Sequence, residues 1–194
     1  MRYDPEKLLQ LCRHMLPGDL SLTAEVRLAI EKPILYLTVA RKDVLAGPEW
    51  ERWRPTRSLP WFALLRGLRR RRLLFTWNDL TPDAHARSRF MRWAWVIRQG
   101  RLHSAHSDFL ELDARRQREW FLRIATRELD ALGYALCELS PSLSPMTLTV
   151  LDRETALRCS ELAAESGYGV IEICPGSGCL PSEPVTTWNP ACPH

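Results

Sequence analysis

The sequence predicts an α+β fold in which a mixed, largely antiparallel sheet packs against several helices. Three observations point there. Apolar residues recur at helical spacing in several segments, and Asp, Pro or Gly stands at their ends. A period-two run over residues 20–31, followed by a β-branched run over 34–39, predicts an N-terminal β-hairpin. Near the other end, strand, helix and strand signals follow one another and predict a C-terminal β-α-β unit.

Asp4-Pro5-Glu6 opens the first helix, with a capping side chain, a proline in the first turn and an acid at the positive end of the helix dipole. Leu8, Leu9, Cys12, Met15 and Leu16 form its inner stripe, and Pro17-Gly18 ends it. In the following run Leu20, Leu22, Ala24, Val26, Leu28 and Ile30 alternate with mostly polar residues, the pattern of a half-buried strand. Lys32-Pro33 breaks the run, and Ile34 to Val39 reads as its hairpin partner. Residues 42–60 carry Pro48, Pro55 and Pro60 and read as a long loop.

Trp61 to Arg72 predicts a short helix ending in four arginines, and Leu73 to Trp77 a short strand. Thr81-Pro82-Asp83 starts a helix that Gly100 ends, with Ala86, Phe90, Trp93, Ala94 and Ile97 inward. Another runs from Asp113 to Leu132, with Trp120, Phe121, Ile124, Ala125 and Leu132 inward and Gly133 as its cap. Strands over 134–139, 146–151 and 170–174 follow, with a helix over 152–166 before the last. If the strands flanking that helix are neighbours, they are parallel. The helices are expected largely on one face of the sheet.

Residues 1–174 thus form the single domain, and residues 175–194, with five prolines and two glycines, an irregular Cys/Pro-rich C-terminal tail. The chain's 194 residues are enough to bury a core without disulfides, and 45% hydrophobic with 26% charged residues is a globular composition. The longest apolar run, Phe90 to Ile97, is interrupted by Arg92, so no membrane contact is expected. The N-terminal residues lack the apolar core and cleavage site of a secretory signal, which places the expected site of action in the cytoplasm. In that compartment Cys12, Cys137 and Cys159, all in apolar periodic segments, act as small hydrophobes.

Charge is uneven. Residues 49–101 hold thirteen arginines against four acids, a local balance of +9, so a net charge of +4 leaves −5 on the rest. Only three of the 27 basic residues are lysines. Codon preference alone produces such a ratio; so does selection for the planar guanidinium that grips phosphate and carboxylate. Trp50, Arg52, Trp53, Arg54 and Arg57 lie in the long loop, and Arg66, Arg69, Arg70, Arg71 and Arg72 in the helix after it. Cations neutralise phosphates while loop-borne tryptophans offer faces to unstacked bases, so this belt is a candidate nucleic-acid surface. Trp and Arg are equally the anchors of protein interfaces. A solvated arginine face with tryptophans pinning a loop is the structural alternative.

Two further groups carry chemistry. Cys174, Cys179, Cys192 and His194 are donors that zinc prefers, and four of them would close a tetrahedral, structural site. Their C-x4-C-x12-C-x-H spacing is looser than the standard patterns. His103 and His106, with Asp108 close by, could act as acid–base or metal-binding groups, without a supporting motif such as His-Glu-x-x-His. No phosphate-binding glycine loop, dinucleotide fingerprint or nucleophile elbow is present.

These observations favour a non-catalytic binding or accessory component of a larger assembly, a hetero-oligomer subunit, whose Arg/Trp belt contacts nucleic acid. The alternatives are a subunit that docks a partner protein or peptide through the same belt or a sheet edge, and a metal-dependent enzyme that uses the His103/His106 region or the Cys tail.

Overall fold

Asp4 caps the first helix as its sequence foretells: its carboxylate accepts the backbone N–H of Glu6 at 3.0 Å and of Lys7 at 3.2 Å. A computed structural model of the chain describes residues 3–45, 59–77, 114–139 and 146–175. Helix α1 (Pro5–Met15) buries Leu8, Leu9, Leu11, Cys12 and Met15. Helix α2 (Leu20–Glu31) is capped by Asp19, which accepts the Leu22 N–H at 2.9 Å. Helix α3 (Pro33–Leu45) follows after the single residue Lys32, and helix α4 (Leu59–Arg70) comes later.

The expected N-terminal β-hairpin is therefore a pair of helices. Residues 20–31 hold enough apolar side chains to fit both periods, and the structure selects the helical one. Leu22, Val26 and Ala29, with Thr23, form the buried stripe, whereas Leu20, first in the alternating set, is 80% exposed. Local chemistry agrees: Asp19 is a strong cap, and Ala24, Glu25, Arg27, Leu28 and Ala29 are good helix formers. Pro33, read as a strand breaker, instead begins α3, where its missing N–H costs nothing. Of the stretch read as a long loop, residues 42–45 belong to α3 and 59–60 to α4, and residues 46–58 lie outside the described residues.

The second half follows the sequence closely. Strand β1 (Phe75–Trp77), helix α5 (Ala114–Ala131), strands β2 (Tyr134–Leu139) and β3 (Met146–Asp152), helix α6 (Arg153–Ser166) and strand β4 (Ile171–Ile173) complete the described chain. Gly133 and Gly167 end α5 and α6 at φ +82° and +71°, the left-handed region that glycine enters without strain. Asp152 caps α6 by accepting the Thr155 N–H at 2.9 Å. The helix read over 81–100 lies outside the described residues.

The four strands form one sheet in the order β1-β3-β2-β4, and every neighbouring pair is antiparallel. The sheet is thus antiparallel rather than mixed. The β-α-β succession at the C-terminal end is present, but β2 lies between β3 and β4, so these two strands run in the same direction without touching.

Helices cover both faces, not one. On one side Phe75, Leu136, Leu148 and Val150 pack with Ala125 and Leu129 of α5. On the other, Ala135, Cys137, Leu139, Leu151 and Ile171 meet Ala156, Cys159, Leu162 and Ala163 of α6. Helix α1 packs against α6, α2 against α1, and α4 against α2, so the larger core extends from the sheet through three more helices. Such two-sided burial explains why β2 reads as almost continuously apolar. Leu132, expected inward, lies beyond α5 and is 51% exposed. Among the described residues Cys12, Cys137, Cys159 and Cys174 are free, and burial pushes all four thiols up to about 12, which leaves them protonated.

Candidate functional site

The arginine run falls at the end of α4, where that helix lies along α2. Gly67 of α4 faces Leu22 of α2 so closely that a methyl group there would overlap the leucine. The close approach brings the arginines within reach of two acids. Arg66 pairs with Glu25 at 2.6 Å, with only 12% and 11% of the two side chains exposed, and Arg70 pairs with the other oxygen of Glu25. Arg71 binds Asp19 with a guanidinium fork, Nε to Oδ2 at 2.5 Å and Nη2 to Oδ1 at 3.0 Å. The same guanidinium donates to the Ser21 hydroxyl and, at 2.9 Å, to the Gly67 carbonyl.

These contacts account for the local electrostatics. The Arg71 guanidinium, together with the Leu22 N–H and the Ser21 hydroxyl, holds the Asp19 carboxyl well below the usual range. Arg66 also lies 6.0 Å from the centre of the Tyr36 ring of α3, and burial pushes that phenol up to about 12. Glu25 has thus fixed α4 to α2, with the Arg66 cation closing over α3.

Arg69 and Arg72 are exposed. Arg72 stands at φ +58°, the one non-glycine residue at positive φ among those described. It ends α4 in a Schellman arrangement: the Leu73 N–H donates to the Leu68 carbonyl at 3.0 Å, and the Arg72 N–H to the Arg69 carbonyl at 2.9 Å. Of the ten belt residues, the structure therefore brings Arg66, Arg70 and Arg71 together as a seam and leaves Arg69 and Arg72 outward. Trp50, Arg52, Trp53, Arg54 and Arg57 lie outside the described residues.

Cys174 follows β4, where its N–H donates to the Leu136 carbonyl at 2.9 Å. Burial first, then the negative charges of Glu138 and Glu172, push its thiol up to about 12. Cys179, Cys192 and His194 lie outside the described residues, as do His103 and His106. Among the described residues no group of three or more His, Cys, Asp or Glu is placed to hold a metal ion. None of their helices is long and apolar enough to cross a membrane.

A surface the sequence did not indicate lies on α3. Its inner side buries Tyr36 and Ala40, with Leu37 partly covered. Its outer side is apolar as well: Ile34 is 81% exposed, Val39 70% and Leu35 47%. Thr38 lies among them, and its hydroxyl donates to the Ile34 carbonyl at 2.9 Å. With that polar group satisfied by the helix itself, the methyl remains to face outward. A helix apolar on all sides is ordinarily covered on all sides. The signal was available in Pro33 and the absence of any acid or base from Ile34 to Ala40, but a strand reading divides those same residues between two sheet faces.

No curated protein and no solved structure matches the chain. A family model described as a domain of unknown function, DUF6630, matches residues 7–173, from the first turn of α1 to the end of β4, and the chain belongs to that family.

Proposed function

We propose that this protein is a non-catalytic binding component that docks a partner protein through the outer face of α3. The observation that carries the reading is the contiguous exposure of Ile34, Leu35 and Val39 on one side of a single helix. Isolated apolar residues are common on protein surfaces, but a stripe at helical spacing is the form in which helices engage grooves and other helices.

The nucleic-acid reading draws less support from the same geometry. Arg66, Arg70 and Arg71 already face Asp19 and Glu25, so a phosphate would have to displace a carboxylate from each. Zinc binding and catalysis have no described cluster behind them.

A photo-activatable residue in place of Leu35 tests the docking reading in cells. The expected result is a discrete protein adduct that disappears when Val39→Glu is added. The same residue in place of Leu157, 55% exposed on α6, serves as the control and gives no such adduct. Failure to form an adduct at position 35, or an adduct to nucleic acid, overturns the proposal.

A further inference from the structure

We infer that α3 is a detachable element: it leaves α2 as a unit about a hinge at Lys32–Pro33, while α1, α2 and α4 stay folded. The joint itself permits this. Lys32 stands between the two helices in non-helical backbone, at φ −136° and ψ 65°. Its N–H donates to the Leu28 carbonyl at the end of α2, and its carbonyl accepts from the Tyr36 N–H of α3, both at 2.9 Å. Pro33 has no N–H to offer. Turning the chain about the Lys32 Cα therefore breaks no backbone bond in either helix.

The other helices of this layer are tied down and α3 is not. The Asp4 N–H before α1 donates to the Ser166 carbonyl at 2.9 Å, and Lys7 pairs with Glu165 at 2.6 Å. Helices α2 and α4 share the seam of Asp19 and Glu25 with Arg66, Arg70 and Arg71. From Pro33 to Ala40, among the described residues, no hydrogen bond or ion pair joins α3 to another element; the Thr38 hydroxyl donates within the helix. What holds α3 there is packing: Tyr36 and Ala40 are buried, the Arg66 guanidinium lies over the Tyr36 ring, and α2 is its one extensive neighbour among the described elements.

Tyr36 also works against its own burial. Its ring is 1% exposed, and its hydroxyl is buried with no hydrogen-bond partner among the described residues. A buried hydroxyl without a partner opposes the docked state, and release returns it to water. Once released, a helix of 13 residues is marginal in water, so undocking melts α3 and opens its amides to exchange. Local openings of this kind lie well below global unfolding in free energy. A protein that binds released α3 pulls the equilibrium open, and one that grips the docked outer face holds it shut. The inference is independent of the docking reading, because it concerns the chain alone.

Hydrogen exchange of the full-length chain, followed by NMR, tests it. The amides of Tyr36 to Ala40 are expected to exchange at least about a hundredfold faster than those of Val26 and Ala29 in α2, with little dependence on low urea, the mark of a local opening. Tyr36→Phe keeps the ring and drops the hydroxyl, and should slow the α3 amides by about tenfold, the scale of one unsatisfied hydroxyl, while leaving the α2 amides unchanged. Ala40→Asp should release α3 and leave the amides of α1, α2 and α4 protected. Exchange of α3 in step with α2 in rate and urea dependence overturns the inference. So does faster α3 exchange in Tyr36→Phe, or unfolding of the whole chain in Ala40→Asp.

Discussion

The seam between α2 and α4 and the outer face of α3 use opposite chemistry for opposite ends. The seam is charged and closed: Glu25 and Asp19 meet Arg66, Arg70 and Arg71, and Leu22 lies against Gly67. The α3 face is aliphatic and open. Arginines drew attention in the sequence as binding groups, and three of them hold two helices together. Aliphatic residues drew attention as core, and three of them lie outside. Residue type therefore indicates function here less than the company a residue keeps.

The largest test of this contrast is Glu25→Ala. It would leave the Arg66 guanidinium, 12% exposed, facing an empty site where its carboxylate partner was. Removing one member of a buried pair costs about 3 kcal/mol or more, because the remaining charge stays desolvated. The urea-unfolding midpoint reads the loss; a shift equivalent to less than about 1 kcal/mol would mean that the seam contributes little to stability.

Acid titration sharpens the other half of the seam. The Asp19 carboxyl is held below its ordinary value in the folded chain, so its contribution is present above the unfolded value of about 3.9 and is lost as pH falls toward the lowered one. Glu165, lowered by its bond to Lys7, adds a slope of the same sign. Unfolding midpoints should fall as pH drops below about 5, and Asp19→Asn should flatten that fall. An unchanged slope would show that the Arg71 fork does not persist in solution.

The smallest effect is expected on α3. Ile34→Gln replaces a side chain that is already 81% exposed, so the unfolding free energy of the dilute protein should change by no more than about 0.5 kcal/mol. A larger loss would mean that Ile34 is covered in solution, and the comparison between a closed seam and an open face would fail.

How far the sequence could be read depended on which residues decide each element. The strand over 134–139 and the helix after Asp152 were legible because their own residues settle them: a compact apolar run, a capping acid, a closing glycine. Helix α2 was not, because its apolar set satisfies two periods. What decides between them is the Asp19 cap and the depth of Val26 and Ala29, and depth belongs to the fold. Pro33 was a second ambiguity, since the residue that breaks a strand also starts a helix. The strand order was beyond local reading, because β1 pairs with β3 across more than seventy residues. So was the fate of the arginine run: nothing near Arg66 or Arg71 in the sequence points to acids more than forty positions earlier.

That long pairing has a consequence for the order in which the molecule can be made. Helices α1, α2 and α4 precede β1, and their contacts with one another need nothing later in the chain. Phe75, Thr76 and Trp77 meet their partners only at Leu148, Thr147 and Met146, and the Leu73 carbonyl accepts from Thr149. Contacts of such separation form slowly, because a long loop must close before any bond rewards it. A nascent chain that has emerged only as far as Trp77 therefore carries several of its helices but none of the strands that hold β1 in place. The first strand of this sheet is set by residues the ribosome has yet to add.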